Sequence, residues 1–372
     1  MSQEKALKRP KRTAGTDSLA TLRGQIDRID RELVKLVNQR AEIALKIGKL
    51  KDRDGQAIYH PGREEDVLNR AIELSDGPLG PDAIRAIFRE VISGSRALER
   101  RLRVAFLGPE HSYSHLAAVH RFGQNVDLIP VGTIAAVFEE VQRGDAQLGM
   151  VPLENSTDGR VTDTLGMFTR IPLRICGEVQ LRIHHNLLGK CSRSEVQEVY
   201  SKPQAISQCR NWLGKHLPAA RLVEVTSTST AAQLASQKPG AAAIASQQAG
   251  EHYGLEVLAR NIEDNPANLT RFAVIGDRCG DRSGNDKTAL MFEVEHKPGG
   301  LADALGIFKR NRLNLTWIES FPIARLEGGY MFFVEMDGHE LDTRVRRAIE
   351  SLSRRAIQLE ILGSYPKTSP IG

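Results

Sequence analysis

Several things are scarce in this sequence, and each shortage removes a class of protein. Its 372 residues contain no run of about 18 apolar residues, so no membrane-spanning helix is expected. The N-terminus, MSQEKALKRPKRTAGTD, has basic residues but no apolar h-region, which excludes a secretory signal and fits a cytoplasmic protein. The few cysteines, Cys176, Cys191, Cys209 and Cys279, form no C-x-x-C pair and no metal-ligand spacing, and read as reduced thiols. His184-His185, the one histidine pair, lies in the strand-like VQLRIHHNLLG, where adjacent side chains point to opposite faces and make a poor metal pair. No metal site is expected. The formal charge of +5 is largely in the tail: residues 1–17 hold five Lys/Arg against Glu4 and Asp17, a net +3, leaving +2 for the rest. That tail, residues 1–17, reads as disordered. It lacks interleaved aromatics and the body lacks a basic motif, so nucleic acid is not an expected partner.

What remains is ordinary globular protein, 41% hydrophobic and 26% charged, long enough for two or three domains. Three regimes follow one another. Residues 18–101 read as helix: one of about 32 residues, the loop DRDGQAIYHPG, a short helix from about 63 to 75 and a third from about 82 to 101. From Arg103 short apolar runs alternate with helical stretches, which predicts an α/β domain over 103–280 with a largely parallel sheet, and its length favours two lobes with a cleft. After the polar linker GDRCGDRSGNDK, residues 287–364 follow the order βαββαβ, the ferredoxin-like plan.

One residue breaks the first pattern. From Leu22 the apolar stripe runs Ile26, Ile29, Leu33, Leu36, then Arg40, then Ile43, Ile47 and Leu50, in steps of four and three. A guanidinium on a buried seam costs several kcal/mol unless something negative meets it. Lys51, eleven residues on, faces the same way roughly 16 Å off, so two long cationic side chains converge on one small anion. Arg23 lies seventeen residues before Arg40, roughly 25 Å along the helix, and cannot reach that anion from the same chain. A helix of roughly 48 Å exceeds the diameter of such a domain, so it is expected to pair antiparallel with a second copy that brings its own Arg23. Ser95 and Glu99 share one face of the third helix, and Glu64 opens the short one. Cations and hydrogen-bonding groups around an apolar core suit a small dicarboxylate.

These residues carry a resemblance. LRGQIDRID, QRAEIALKIGKLK and PGREEDVL are similar to the motifs of the all-helical chorismate mutases, across the whole of 18–101. The resemblance implies that Arg40 and a partner's Arg23 hold the substrate carboxylates, Lys51 the ether oxygen and Glu64 the ring hydroxyl, with Ser95 lining the pocket. His60 falls where an aspartate can stand, and Glu99 replaces a glutamine that donates to the ether oxygen. The rearrangement of chorismate to prephenate is pericyclic and needs no cofactor, nucleophile or base, only a fixed compact conformer and donors for the charge on the ether oxygen.

In the α/β region the hydroxyl and amide residues cluster after strands, in GPEHSYSH, VPLENSTDG, VYSKPQAISQC, VTSTSTA and NLTRFAVIG. Each alone reads as a helix cap; five on one domain favour a cleft for a polar anion. As a set they resemble prephenate dehydratase, which implies a two-lobed fold like the type II periplasmic binding proteins. The family's essential threonine corresponds to Thr270, next to Arg271 in the T-R-F motif, and Asn155, Ser156, Ser201 and Gln208 correspond to cleft residues. The reaction expels carbon dioxide and the ring hydroxyl from prephenate, giving phenylpyruvate. Residues 287–364 resemble an ACT domain, the module that binds amino acids at subunit interfaces. Its phenylalanine motifs stand here as Gly299-Gly300-Leu301 and Glu319-Ser320-Phe321-Pro322, with Phe321 where arginine is common. The resemblance implies phenylalanine as effector and a homodimer or higher oligomer. Two other readings are an arogenate dehydratase and a non-catalytic amino-acid-binding regulator; the joint presence of Arg23, Arg40, Lys51 and Glu64 argues against the second.

Overall fold

The computed structural model describes residues 18–53, 59–157, 159–277, 281–322 and 329–371; the basic tail and Cys279 lie outside them. The helical part comprises α1 (Leu19–Arg53), α2 (Pro61–Glu73) and α3 (Pro81–Glu99). Proline opens α2 and α3, where its missing N–H costs nothing. α1 keeps its apolar stripe uncovered: Leu36 is 61%, Ile43 58% and Leu50 59% exposed. Its contact with α3 is made at Arg40 and at Gly48 instead.

The α/β part begins with β1 (Arg103–Leu107), α4 (Tyr113–Phe122), β2 (Asp127–Val131), α5 (Ile134–Gln142), β3 (Leu148–Asn155), β4 (Gly159–Arg160), α6 (Thr162–Phe168) and β5 (Arg174–Arg182). A second lobe follows: β6 (Asn186–Gly189), β7 (Glu198–Ser201), α7 (Pro203–Gln208), α8 (Arg210–His216), β8 (Arg221–Glu224), α9 (Thr228–Gln237), β9 (Ala241–Ala245), α10 (Gln247–Tyr253) and β10 (Glu256–Ala259). The chain then returns to the first lobe as β11 (Leu269–Gly276). The sheets run β2-β1-β3-β11-β5, with β4 on β3, and β10-β6-β9-β7-β8. Two lobes are as expected, here joined by two crossings, but the sheets are mixed rather than largely parallel. β1, β2 and β3 are parallel, whereas β11 is antiparallel to both β3 and β5 because it re-enters from the other lobe. Ser112, Thr133, Ser227 and Ser246 cap the helices that follow them, so part of the hydroxyl enrichment is capping.

The last part is β12 (Asp286–Glu293), α11 (Gly300–Arg310), β13 (Leu315–Pro322), β14 (Tyr330–Asp337), α12 (Thr343–Ser353) and β15 (Gln358–Pro366), with strand order β13-β14-β12-β15. Both faces of this sheet are covered. Leu290, Phe292, Val334 and Met336 pack under α11 and α12. Ala289, Met291, Met331 and Phe333 join the core of the first lobe with Leu165, Phe168 and Ile175. The ferredoxin-like unit is thus a layer on the first lobe, not a bead on a linker.

Candidate active sites

In the helical part Arg40 is half-buried and donates to Ser95 Oγ at 2.8 Å, while Ser95 donates to the Val91 carbonyl at 2.7 Å. Burial, and then the positive charge of Arg63, hold the Arg40 guanidinium below the usual arginine value. Arg63 is a third cation here that the sequence reading passed over, although it adjoins Glu64. Glu99 reaches back across α1: a Cβ on Gly48 would stand 2.5 Å from its Cγ and 2.9 Å from Oε2. Gly48 and Lys51 are one helical turn apart, so Glu99 and Lys51 share a face of α1. His60 precedes α2, and its Nε2 is buried with no hydrogen-bond partner among the described residues. Arg23 is exposed and lies up the helix from this group.

Glu64 is held by a residue the sequence did not single out. Arg96 is 5% exposed, donates from Nη1 to Glu64 at 2.5 Å and from Nη2 to the Phe122 carbonyl at 2.7 Å. Tyr59 packs on Phe122 with ring centroids 5.3 Å apart, and burial pushes its hydroxyl up to about 12. Arg121 donates to that hydroxyl at 2.7 Å and meets Glu65 at 3.5 Å. The helical domain is therefore docked on the end of α4 through a buried, charged seam.

In the α/β part the two lobe crossings meet at Glu263, which pairs with His184 Nδ1 at 2.8 Å and accepts from the His185 N–H at 2.8 Å. The histidine pair thus braces the crossing. From there a chain of side-chain bonds runs to the threonine. His185 Nε2 lies 2.9 Å from Gln208 Oε1, and Asn268 donates to the same oxygen at 3.0 Å. Asn155 donates to Asn268 Oδ1 at 3.2 Å and to Thr270 Oγ1 at 2.8 Å. Because Thr270 accepts from Asn155, its own hydroxyl hydrogen is left to donate elsewhere. Thr157, Ser207, Gln208, Glu263, Asp264, Asn265 and Asn268 line a cavity of about 130 Å³ beside this chain.

Asn155, Gln208 and Thr270 thus come together, joined by Asn268 and His185. Ser156 lies at the rim, its Oγ accepting from the Leu269 N–H at 2.9 Å. Two expectations are corrected. Ser201 is fully buried and donates to the Ile244 carbonyl at 2.7 Å, so it sits beneath the cleft. Arg271, expected to bind substrate, follows Thr270 on a strand and so points to the other face. There Glu154, Glu178 and Glu335 take its guanidinium.

The comparisons with known proteins divide the chain the same way. Residues 22–100 match the family model for chorismate mutase type II, 104–279 that for prephenate dehydratase and 288–354 that for the ACT domain. The bifunctional chorismate mutase/prephenate dehydratase of Aquifex aeolicus is 40% identical over 356 residues, spanning 94% of this chain and 98% of that one. The chain belongs to this bifunctional family. The Pseudomonas aeruginosa member is 39% identical over 361 residues, covering 95% of this chain and 99% of its own. The crystal structure of prephenate dehydratase from Arthrobacter aurescens in complex with L-Phe superposes with a TM-score of 0.66 at 34% identity, covering 72% of this chain and 90% of that one. The helical part is accordingly the mutase domain, making prephenate from chorismate. The two-lobed part is the dehydratase domain, converting prephenate to phenylpyruvate, and the ACT domain lies against it. Among the described residues no helix is long and apolar enough to cross a membrane.

Proposed function

We propose that residues 18–101, 103–280 and 287–364 act as three units with one mutase pocket, one dehydratase cleft and one amino-acid sensor, at work in the cytoplasm as a homodimer or larger assembly. Arg40, Lys51, Glu64, Ser95, Glu99 and His60 form the mutase pocket, completed by Arg23 of a second copy laid antiparallel along α1. The uncovered stripe on α1 supports the pairing, since Leu36, Ile43 and Leu50 are each more than half exposed. The arginines hold the two carboxylates of chorismate in the compact conformer, and Lys51 answers the negative charge that grows on the ether oxygen.

In the dehydratase cleft Thr270 donates to the ring hydroxyl of prephenate as it leaves. Carbon dioxide departs in the same step, and aromatisation supplies the driving force. The observation that carries this reading is the polarity of the Asn155–Thr270 bond. Asn155 donates, so Thr270 is oriented as a donor toward substrate.

Phenylalanine is the proposed effector of the ACT domain. Gly300 closes a tight turn at the start of α11, where a Cβ would lie 2.6 Å from the Glu295 carbonyl oxygen, and Leu301 follows it. Glu319 is ion-paired with Arg160 at 2.7 Å, and Ser320 is exposed on β13. Phe321 packs toward Gly166, which leaves the position of the usual arginine occupied by a dehydratase contact. The test is a coupled assay starting from chorismate, following phenylpyruvate with and without L-phenylalanine, beside calorimetry with the same ligand. Phenylpyruvate formation that halts at prephenate in Thr270→Ala supports the cleft assignment. No heat and no inhibition with L-phenylalanine would remove it as effector.

A further inference from the structure

Two adjacent rungs of one β-ladder serve two different faces of the dehydratase sheet. Thr270 stands opposite Asn155 between β11 and β3, and Arg271 stands opposite Glu154. Side chains alternate along a strand, so the first rung faces the cleft and the second faces the ACT domain.

The second rung is closed by residues from every strand of the ACT sheet. Arg271 donates to Glu154 at 2.9 Å from Nη1, and from Nη2 to both oxygens of Glu335 on β14 at 2.7 and 2.8 Å. Its Nη2 also meets Glu178 on β5 at 3.1 Å, and its guanidinium carbon lies 5.4 Å from the centre of the Trp317 ring on β13. Lys287 on β12 is 3.1 Å from Glu178, and Tyr365 on β15 donates to Glu335 at 2.6 Å. Two cations, Arg271 and Lys287, thus face three carboxylates, and the side chains of Glu178 and Glu335 are 1% exposed. Burial alone would raise the Glu178 carboxyl, but Lys287 and then Arg271 hold it below the ordinary carboxylate range. A second tie lies beside the first. Arg160, opposite Glu154 in the β3–β4 hairpin, pairs with Glu319, two residues along β13 from Trp317.

We propose that Arg271 is a positioning residue for the dehydratase reaction: clamped between Glu154 and the ACT residues Glu335 and Trp317, it sets the placement of Thr270 on β11. Arg271 touches no substrate. It fixes the backbone from which Thr270 donates, and it makes that placement depend on where the ACT sheet sits. Arg160 and Glu319 extend the same dependence to the hairpin that carries Asn155. Two separate nitrogens, Nη1 on Glu154 and Nη2 on Glu335, are what lysine cannot reproduce, although lysine keeps the charge.

The inference rests on the reading of Thr270 as the dehydratase donor, and the experiment separates the two. Full-length Arg271→Lys, Glu335→Gln, Thr270→Ala and the Thr270→Ala/Arg271→Lys double variant are assayed with prephenate, with chorismate consumption as internal control. Arg271→Lys is expected to lower dehydratase kcat by roughly ten- to a hundred-fold, the scale of a misplaced catalytic group, with KM for prephenate and mutase turnover near those of the parent. Glu335→Gln is expected to lower kcat in the same sense but less. In the Thr270→Ala background, Arg271→Lys is expected to add no further loss. A raised KM with unchanged kcat would make Arg271 a substrate contact and overturn the inference, as would additive losses in the double variant. If Arg271→Lys loses both activities by misfolding, Glu335→Gln decides: a parental kcat there overturns the proposal. Thr270→Ala at the parental dehydratase rate would sink the cleft reading itself. An inactive Thr270→Ala beside a fully active Arg271→Lys would sink only the role given to Arg271.

Discussion

Glu64 and Arg96 form an ion pair at 2.5 Å whose other end is the dehydratase domain, because the same guanidinium donates to the Phe122 carbonyl. A mutase carboxylate is thereby oriented by a residue that also fastens the mutase domain to its neighbour. Arg96→Met keeps much of the volume and removes both bonds. Glu64 is 16% exposed, so its lost partner is expected to cost about 1–3 kcal/mol. Mutase kcat/KM should fall roughly ten- to a hundred-fold, the scale of one misplaced group. Prephenate turnover should change little. Equal effects on both activities, in parallel kinetic assays, would mean that Arg96 matters only for folding.

The shared mutase pocket has a test by mixing. Arg23 and Arg40 are seventeen positions apart on α1, about 25 Å at the helical rise. Arg23→Ala and Arg40→Ala should each lose mutase activity. Mixed after dissociation, the two should regain it in one of the two pockets of each mixed dimer. Mixtures that stay inactive, although shown to contain mixed dimers, would rule out the shared pocket.

Gly48 offers a substitution with opposed effects. Alanine in place of glycine within a helix gains up to about 1 kcal/mol. Its Cβ, however, would stand 2.5 and 2.7 Å from Cγ and Cδ of Glu99, and that flexible carboxyl must move away. Gly48→Ala is expected to fold at least as well as the parent, by thermal unfolding, while mutase kcat falls roughly ten- to a hundred-fold, the scale of one mispositioned group. A stable variant with parental mutase rate would take Glu99 out of the pocket.

Acid should loosen the two lobes. His111 on the first lobe, at φ 62°, stacks on His252 of α10 with ring centroids 3.8 Å apart. Burial and then His252 lower the His111 pKa; burial and then His111 lower that of His115, and Glu110 opposes both shifts. A folded-state pKa below the unfolded value of about 6.5 means that the unfolded chain binds protons first. The stability these groups give is complete above about pH 6.5 and is lost as pH falls through their folded values. His111→Asn tolerates the positive φ and removes one titration. The denaturation midpoint of this variant should decline less steeply below pH 6.5 than that of the parent. Superimposable pH curves would show that the stack carries no charge-linked stability.

How much of this was legible in the sequence depends on how far a residue's partner lies from it. Arg40 could be read because a cation interrupted an apolar period, and Ser95 met it from a helix with its own period. Thr270, Asn155 and Gln208 could be read because motifs carried them, whereas Asn268, two residues before Thr270, went unnoticed inside the same motif. Arg271 was misassigned although strand alternation alone argues against two neighbours facing one cleft. Ser201 failed for a different reason: whether a hydroxyl at a strand end faces the cleft or a neighbouring strand depends on β9, forty residues on. Arg96 gave no local signal. It looks like any helical arginine until Phe122 and Glu64 are brought to it by docking. The mixed sheets escaped notice because the re-entry of β11 between β3 and β5 leaves no mark in hydropathy.

The C-terminal residues finish alongside β5: Ile371 donates to the Gln180 carbonyl at 2.8 Å, and its own carbonyl accepts from the Arg182 N–H at 2.8 Å. The chain thus leaves β11 at Gly276, builds the ACT sheet and comes back to the outer edge of β5, level with the opposite end of β11, where Arg182 pairs with Leu269. Ile371 stands on Leu181, which itself faces Thr270, so the last described residues buttress the rung that carries Thr270 through one intervening strand.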